Sequence, residues 1–358
     1  MDPLSHALLG AASAYAVGPE RSRMAVLAGV AGAMLPDIDV LISSNTDPLL
    51  ALEYHRHFTH SFAFAPFGAF VVATILWLAM RGKATLTELY WPALAGFVSA
   101  ILLDACTSYG TQLLWPFTDK RFAASIIAVI DPVVTVILLV GVVMALRSAA
   151  AKPARIAIAV MLVYLGFGWL QRERAEGLTE RAAAARGHVI SRHEVKPTLG
   201  NLLLWRSVYL TGNQFVVDAA RVGILSRPVL YPGGAVRRIE PIDLVPPLTL
   251  DSVQAGDVVR FAQVSEGYLA RHPTRPNVIG DVRYAMLPND TRPLWGIEIH
   301  PEREEHHVAF HHFREFGKGD RQRFFAMLRG VAPEQLPALV PESKSRTTRG
   351  PKEKSAAP

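Results

Sequence analysis

The sequence holds a single cysteine, Cys106, inside an apolar run, so neither a disulfide framework nor a cysteine-based zinc site can form within one chain. Several catalytic signatures are missing as well. There is no His-Glu-x-x-His, which disfavours a zincin-type protease, and no Gly-x-Ser-x-Gly elbow or phosphate-binding loop. The first ten residues carry Asp2 but no Lys or Arg, so the positive n-region of a signal peptide is lacking. Basic residues are not interleaved with aromatics as in a nucleic-acid binder, and no nucleic-acid partner is expected. The net charge of +6 is read as a basic tail, Lys344 to Lys354, plus cytoplasmic loops.

Half of the 358 residues are hydrophobic, and they are unevenly spread. Up to Leu170 charges are sparse and apolar runs follow one another; from Gln171 onward the chain is rich in Arg, Glu, Asp and His. That split predicts an α-helical membrane domain followed by a small β-rich soluble domain. The apolar runs are Leu4–Val17, Met24–Leu35, Phe62–Met80, Tyr90–Leu103, Phe122–Leu146 and Ile156–Leu170. They predict about five to six transmembrane or re-entrant helices, several of marginal length. Arg21/Arg23, Arg81/Lys83 and Arg147/Lys152/Arg155 fall on one side if all six cross, and the positive-inside rule makes that side cytoplasmic. His6, Asp37, Asp39, His55, His57, His60, Asp104, Asp119 and Asp131 then gather on the extracytoplasmic side.

The expected organisation is a membrane domain over 1–171 carrying the site, a helical linker over 172–189, a β-rich extracytoplasmic domain over 190–335 and a disordered basic tail over 336–358. Runs rich in Val, Tyr, Phe and Trp predict strands at 202–210, 214–222, 258–270, 278–286, 294–299 and 308–316, with a closing helix at 321–329. No internal repeat is visible.

The densest chemistry lies between Leu35 and Ser61: Leu35-Pro36-Asp37-Ile38-Asp39, a loop, then His55-Arg56-His57-Phe58-Thr59-His60-Ser61. Carboxylate oxygen and neutral imidazole nitrogen are the usual ligands of a catalytic Zn²⁺ or similar ion. Charged groups at the edge of apolar helices are expensive unless they pair or bind something. If His57 and His60 begin the next helix, their spacing puts them on one face, with Thr59 and Ser61 as supporting hydrogen-bond partners. Asp104 ends an apolar run and reads either as a polar break or as a bridging carboxylate; His6 gains weight from sharing the same side. His300, His306, His307, His311 and His312 read first as a solvated histidine-rich strand edge.

Four stretches together resemble the YdjM-type family of bacterial inner-membrane proteins, described as metal-dependent hydrolases: Met1-Asp2-Pro3-Leu4-Ser5-His6-Ala7-Leu8-Leu9-Gly10, Leu35 to Asp39, His55 to Ser61, and Asp104 to Phe117. A looser likeness extends to Asn201-Leu202-Leu203-Leu204-Trp205-Arg206. The resemblance implies a multi-pass protein of the inner (plasma) membrane whose metal ligands are His6, Asp37, His60 and Asp104, with Asp39, His55 and His57 nearby in catalytic roles. The family is also distantly similar to zinc-dependent phospholipase C and P1-type nucleases, where a His-x-x-x-Asp pair supplies ligands. Here the position four before Asp104 is Ala100, which removes one such ligand.

The expectation is therefore a metal-dependent hydrolase holding Zn²⁺ or Mn²⁺ and acting on a phosphoester or lipid-linked substrate, with membrane lipids as its surroundings. The alternatives are a transporter or metal-handling protein using the same residues, and an envelope scaffold whose β-domain binds a partner.

Overall fold

The structure is a computed structural model that describes residues 1–17, 23–80, 83–244, 247–314 and 319–336. Arg21, Arg81 and the basic stretch Lys344 to Lys354, used in the sequence reading, lie outside the described residues, as does the tail from residue 337. Leu336, where the tail was expected to begin, packs beside Tyr231 and Met327.

The apolar runs form helices α1 (Pro3–Val17), α2 (Arg23–Met34), α4 (Ala65–Met80), α5 (Leu86–Ala105), α6 (Pro132–Ser148) and α7 (Lys152–Ala185), with a one-turn α3 (Leu50–Tyr54) in the loop after α2. Small residues let them approach closely. At Gly10 of α1 and Gly29 of α2, each glycine faces the other's carbonyl with no room for a Cβ, and Gly96 of α5 meets the same Gly29 carbonyl. Thr85 caps α5 through a capping box with Glu88, and Asp131 caps α6 by accepting from Val133 and Val134 N–H groups. The outer surface of the bundle stays apolar: Phe67, Ile75, Leu78, Val136, Val163 and Trp169 are all exposed.

Among the described residues, α5 and α7 are long and apolar enough to cross a membrane, and counting the bent pair Leu50–His60 plus Ala65–Met80 makes three. Of the five to six spans expected, two or three thus meet that measure; α1, α2 and α6, at 15, 12 and 17 residues, are shorter. The stretch expected as a helical linker is helical through Ala185 and continues α7 without a break, giving one helix of 34 residues. No proline interrupts it after Pro153, and the charged residues past Leu170 are good helix formers.

The rest of the chain folds into two antiparallel four-stranded meanders. The first is β1 (Arg192–Pro197), β2 (Leu204–Thr211), β3 (Gln214–Arg221) and β4 (Val229–Arg237). Helix α8 (Val253–Val264) then leads to β5 (Leu269–His272), β6 (Arg275–Asp281), β7 (Trp295–Glu298) and β8 (Ala309–His312), and α9 (Asp320–Arg329) closes the chain as expected. The run 258–270, expected as one strand, is instead the end of α8, a turn and β5. β1 and β4, which no strand reading covered, are ordinary members of the first sheet; Pro232 in β4 lies where the β3–β4 register shifts, between Val216 and Asp218.

The two halves share cores. Leu49, from the loop after α2, packs with Phe261 of α8 and with Leu269, Ile279 and Ile297 of the second sheet. Trp205 of β2 joins the cluster that includes Leu9, Leu103 and Val134 of the bundle. Arg260 of α8 reaches back to Asp47 and Glu53 at 2.8 and 2.6 Å, and the Tyr284 hydroxyl donates to the Ser108 carbonyl at 2.8 Å. The sheets therefore stand at the end of the bundle from which the loops 35–64 and 105–131 emerge.

Candidate metal centre

That same end of the bundle gathers the charged residues. His6 lies in the first turn of α1 and is fully buried. Pro36 ends α2 and starts a 3-10 turn, Pro36–Leu41, that turns Asp37 and Asp39 inward while Val40 and Leu41 face out. His60 ends a second short turn, Phe58–His60, and is fully buried. Asp104 occupies the last turn of α5, also fully buried. A carboxylate there opposes the helix dipole as well as paying for desolvation, so it needs cations nearby.

The distances are those of one cluster. His6 Nδ1 stands 3.2 Å from Asp37 Oδ2, and His6 Nε2 stands 3.4 Å from Asp104 Oδ1. His60 Nε2 is 3.6 Å from Asp37 Oδ1 and 3.3 Å from Asp104 Oδ2. Ligand atoms of His6, Asp37 and Asp104 all lie within 4.8 Å of one another. Three of the converging atoms, His6 Nε2, His60 Nε2 and Asp104 Oδ2, are buried without a hydrogen-bond partner. Buried orphans of this kind are rare and call for an explanation, and a cation held by His6, Asp37 and Asp104 would supply one, with His60 beside it. The other ring nitrogens are engaged: His6 Nδ1 by Asp37, and His60 Nδ1 by Thr59 Oγ1 at 3.1 Å. That arrangement fixes the rings and leaves each Nε2 facing inward. Burial pushes the Asp37 carboxyl up, but the hydrogen bond from His6 and the neighbouring His60 imidazole outweigh it and hold the group below the usual carboxylate range. The residues present thus fit a divalent ion.

Asp39 and His55 adjoin this cluster. Asp39 Oδ2 accepts the Arg56 backbone N–H at 2.7 Å and lies 3.3 Å from His55 Nδ1 and 3.5 Å from His60 Nδ1. His57 does not join them. The turn directs its ring toward Tyr54, Phe58 and Trp115, with centroids 5.3 to 6.1 Å away. His57 and His60 therefore do not share a helix face, because α4 begins only at Ala65. Instead His57 lines a cavity of about 660 Å³ with Tyr54, Gln112, Lys120, Arg121 and Gln263. Burial, and then the Arg121 cation, push the His57 imidazole down.

Arg56 is the site residue that the sequence reading passed over. Its guanidinium stands 2.8 Å from Asp104 Oδ1 and donates to Thr107 Oγ1 at 2.7 Å, while its backbone sits in the left-handed region at φ 56°. A non-glycine residue held there marks a locally over-determined structure. The Met1 amino group also contacts Asp104 Oδ1. The only available signal for Arg56 was its position between two histidines. Ala100 is fully buried one turn before Asp104, and the imidazoles come from α1 and the His60 turn instead. Asp119 lines the His57 cavity, and Asp131 caps α6 away from the cluster, with Tyr164 donating to it at 3.0 Å. Among the C-terminal histidines, His307 pairs with Asp257 and His311 with Glu298.

An apolar helical bundle with a buried His/Asp cluster at one end defines a membrane-type protein with a candidate metal centre. Residues 1–175 match the YdjM inner membrane protein family, so the resemblance carried by the four motifs stands for this half of the chain. A Bacillus subtilis (strain 168) protein, the uncharacterized protein YfhP, is 26% identical over 149 residues, covering 42% of this chain and 44% of that protein. The chain thus spans less than half the length of that relative. No solved structure matches the chain.

Proposed function

We propose that the chain is a membrane-embedded, metal-dependent hydrolase of the phosphoester class, with His6, Asp37, His60 and Asp104 as ligands. The observation that carries this reading is the convergence of the three orphaned atoms, His6 Nε2, His60 Nε2 and Asp104 Oδ2. A bound Zn²⁺ or Mn²⁺ would lower the pKa of its water to about 7 and offset charge developing on the attacked ester.

The chain's own groups supply the rest. Asp39, fixed by the Arg56 N–H and beside His55, is placed to accept a proton from the attacking water; His55, with its side chain 39% exposed, is placed to pass that proton to solvent. Arg56 holds the Asp104 carboxylate in one orientation. The cavity beside His57, with Lys120 and Arg121 on its wall, takes the polar part of the substrate. Ile38, Val40, Leu41, Leu114 and Phe117 stand exposed on the loops that carry or flank the site, which favours an amphiphilic, lipid-linked ester. By the positive-inside rule, Arg23, Lys83, Arg147, Lys152 and Arg155 mark the cytoplasmic ends of a multi-pass bundle, so the site and both sheets face the outer side of the inner membrane.

Purified full-length protein assayed on a panel of phospholipid and other phosphoester substrates tests this. Chelator-sensitive turnover that Asp104→Asn abolishes is the expected result; turnover indifferent to chelator, or none across the panel, overturns it.

A further inference from the structure

A second group of ligating side chains lies well away from the first, where the outer part of α7 meets β1. Glu176 and Glu180 are four apart on α7 and so share a face. Like charges at that spacing repel, and Arg172 relieves only one of them, through Glu176 Oε2 at 3.4 Å. His193 of β1 faces the pair, its Nδ1 standing 3.9 Å from Glu176 Oε1, too long for a hydrogen bond. Ligand atoms of the three residues lie within 4.8 Å of one another.

The independent observation is the state of His193. Its side chain is only 8% exposed, and Nδ1 is a buried atom with no hydrogen-bond partner. Nε2 is occupied on the far side by Thr179 Oγ1 at 3.1 Å and Ser207 Oγ at 2.9 Å. The Thr179 hydroxyl has the Glu176 carbonyl at 2.9 Å and the Ala175 carbonyl at 3.2 Å as acceptors for its one proton, which leaves its oxygen able to accept from the ring. With Nε2 donating to these two hydroxyls, Nδ1 presents a bare lone pair toward a carboxylate. Two facing acceptors are unfavourable unless a cation lies between them. An imidazole fixed through its other nitrogen and aimed at carboxylates is the arrangement of a metal-ligating histidine.

We propose that Glu176, Glu180 and His193 form a second divalent-metal site, of the Zn²⁺ class, that fastens the outer end of α7 to the first sheet. One imidazole and two carboxylates suit a borderline transition ion, with a further position left to water because Glu180 is exposed. The site shares no residue with the His6/Asp37/His60/Asp104 centre and does not depend on hydrolysis.

Full-length protein in detergent is loaded with Zn²⁺, desalted and assayed for bound metal and for the metal-dependent rise in thermal midpoint. Glu180→Gln and His193→Gln are compared with wild type and with Asp37→Asn. The first two are expected to lose one equivalent of zinc and much of the thermal rise, whereas Asp37→Asn retains both features of this second site. Thr179→Val, which removes one of the two Nε2 partners, is expected to weaken that equivalent by about 10-fold. Glu180 is solvent-exposed, so its substitution leaves folding intact, and circular dichroism verifies this. Zinc content and thermal rise equal to wild type in both Glu180→Gln and His193→Gln overturn the proposal, whatever happens at the first centre.

Discussion

Arg56 fixes the electrostatics of the centre. It brings a fork of donors to Asp104 and Thr107, and its backbone N–H to Asp39, at the expense of a left-handed φ. Removing one partner of a buried ion pair leaves an uncompensated charge and costs about 3 kcal/mol or more. Arg56→Ala is therefore expected to destabilise the metal-free protein by about 3 kcal/mol, with a smaller deficit when Zn²⁺ is present, since the ion supplies the missing charge. Thermal melts with and without metal check this; an equal deficit in both states contradicts it. Residues of this kind divide by legibility. His6, Asp37, His60 and Asp104 stood out because ionisable groups beside apolar runs are rare and expensive. Arg56 did not, since an arginine in a loop is usually solvated. His57 looked equivalent to His60, and only the geometry of the short turn separates the two, sending one ring to the aspartates and the other to the cavity.

At the scale of elements, the centre exists because α1, α2 and α5 pack at backbone distance. Gly10, Gly29 and Gly96 make that approach, and a Cβ at position 29 meets both the Gly10 carbonyl and the Ala14 side chain. Gly29→Val is expected to cost about 3 kcal/mol, at the upper end for overpacking because the obstructing atoms belong to backbone. It should also lower bound zinc, although no ligand is altered. Wild-type metal content in a folded Gly29→Val protein would argue against the packing account. The helices themselves were readable as apolar runs with few charges. The length of α7 was not, because its composition turns from apolar to charged at Gln171 while its backbone continues. Helix α8 was misread as strand because a short apolar run has no decisive period. β1 escaped because Arg192-His193-Glu194-Val195-Lys196 is mostly polar, yet Val195 and Lys196 are buried against the rest of the protein.

Across the whole molecule, the junction between bundle and sheets includes buried polar groups, and the buried Lys196 makes it sensitive to pH. Its ammonium lies 3.8 Å over the Tyr284 ring and 3.7 Å from Glu194, and burial pushes it down to about 8 from its ordinary 10.5. Below pH 8 both folded and unfolded chains hold the proton, and the cost of burying the charge is fully present. Between about 8 and 10.5 the folded form releases it while the unfolded chain keeps it, so stability from this site rises with pH. Relative to wild type, Lys196→Met is expected to gain thermal midpoint at pH 7, and the gain is expected to shrink as pH rises through 9. A gain that is constant or grows with pH contradicts the sign. The two-part architecture was legible from hydropathy alone, whereas the shared core was not: Leu49 and Trp205 cross between halves that are far apart in sequence.

The most direct test of the metal centre is the zinc and manganese content of detergent-purified full-length protein, measured by mass spectrometry for wild type, Asp37→Asn, His60→Ala and Asp104→Asn. The account predicts near-stoichiometric metal at this centre in wild type and the loss of one equivalent in each variant. Wild type that holds no metal after reconstitution, or variants that keep all of it, would contradict the account.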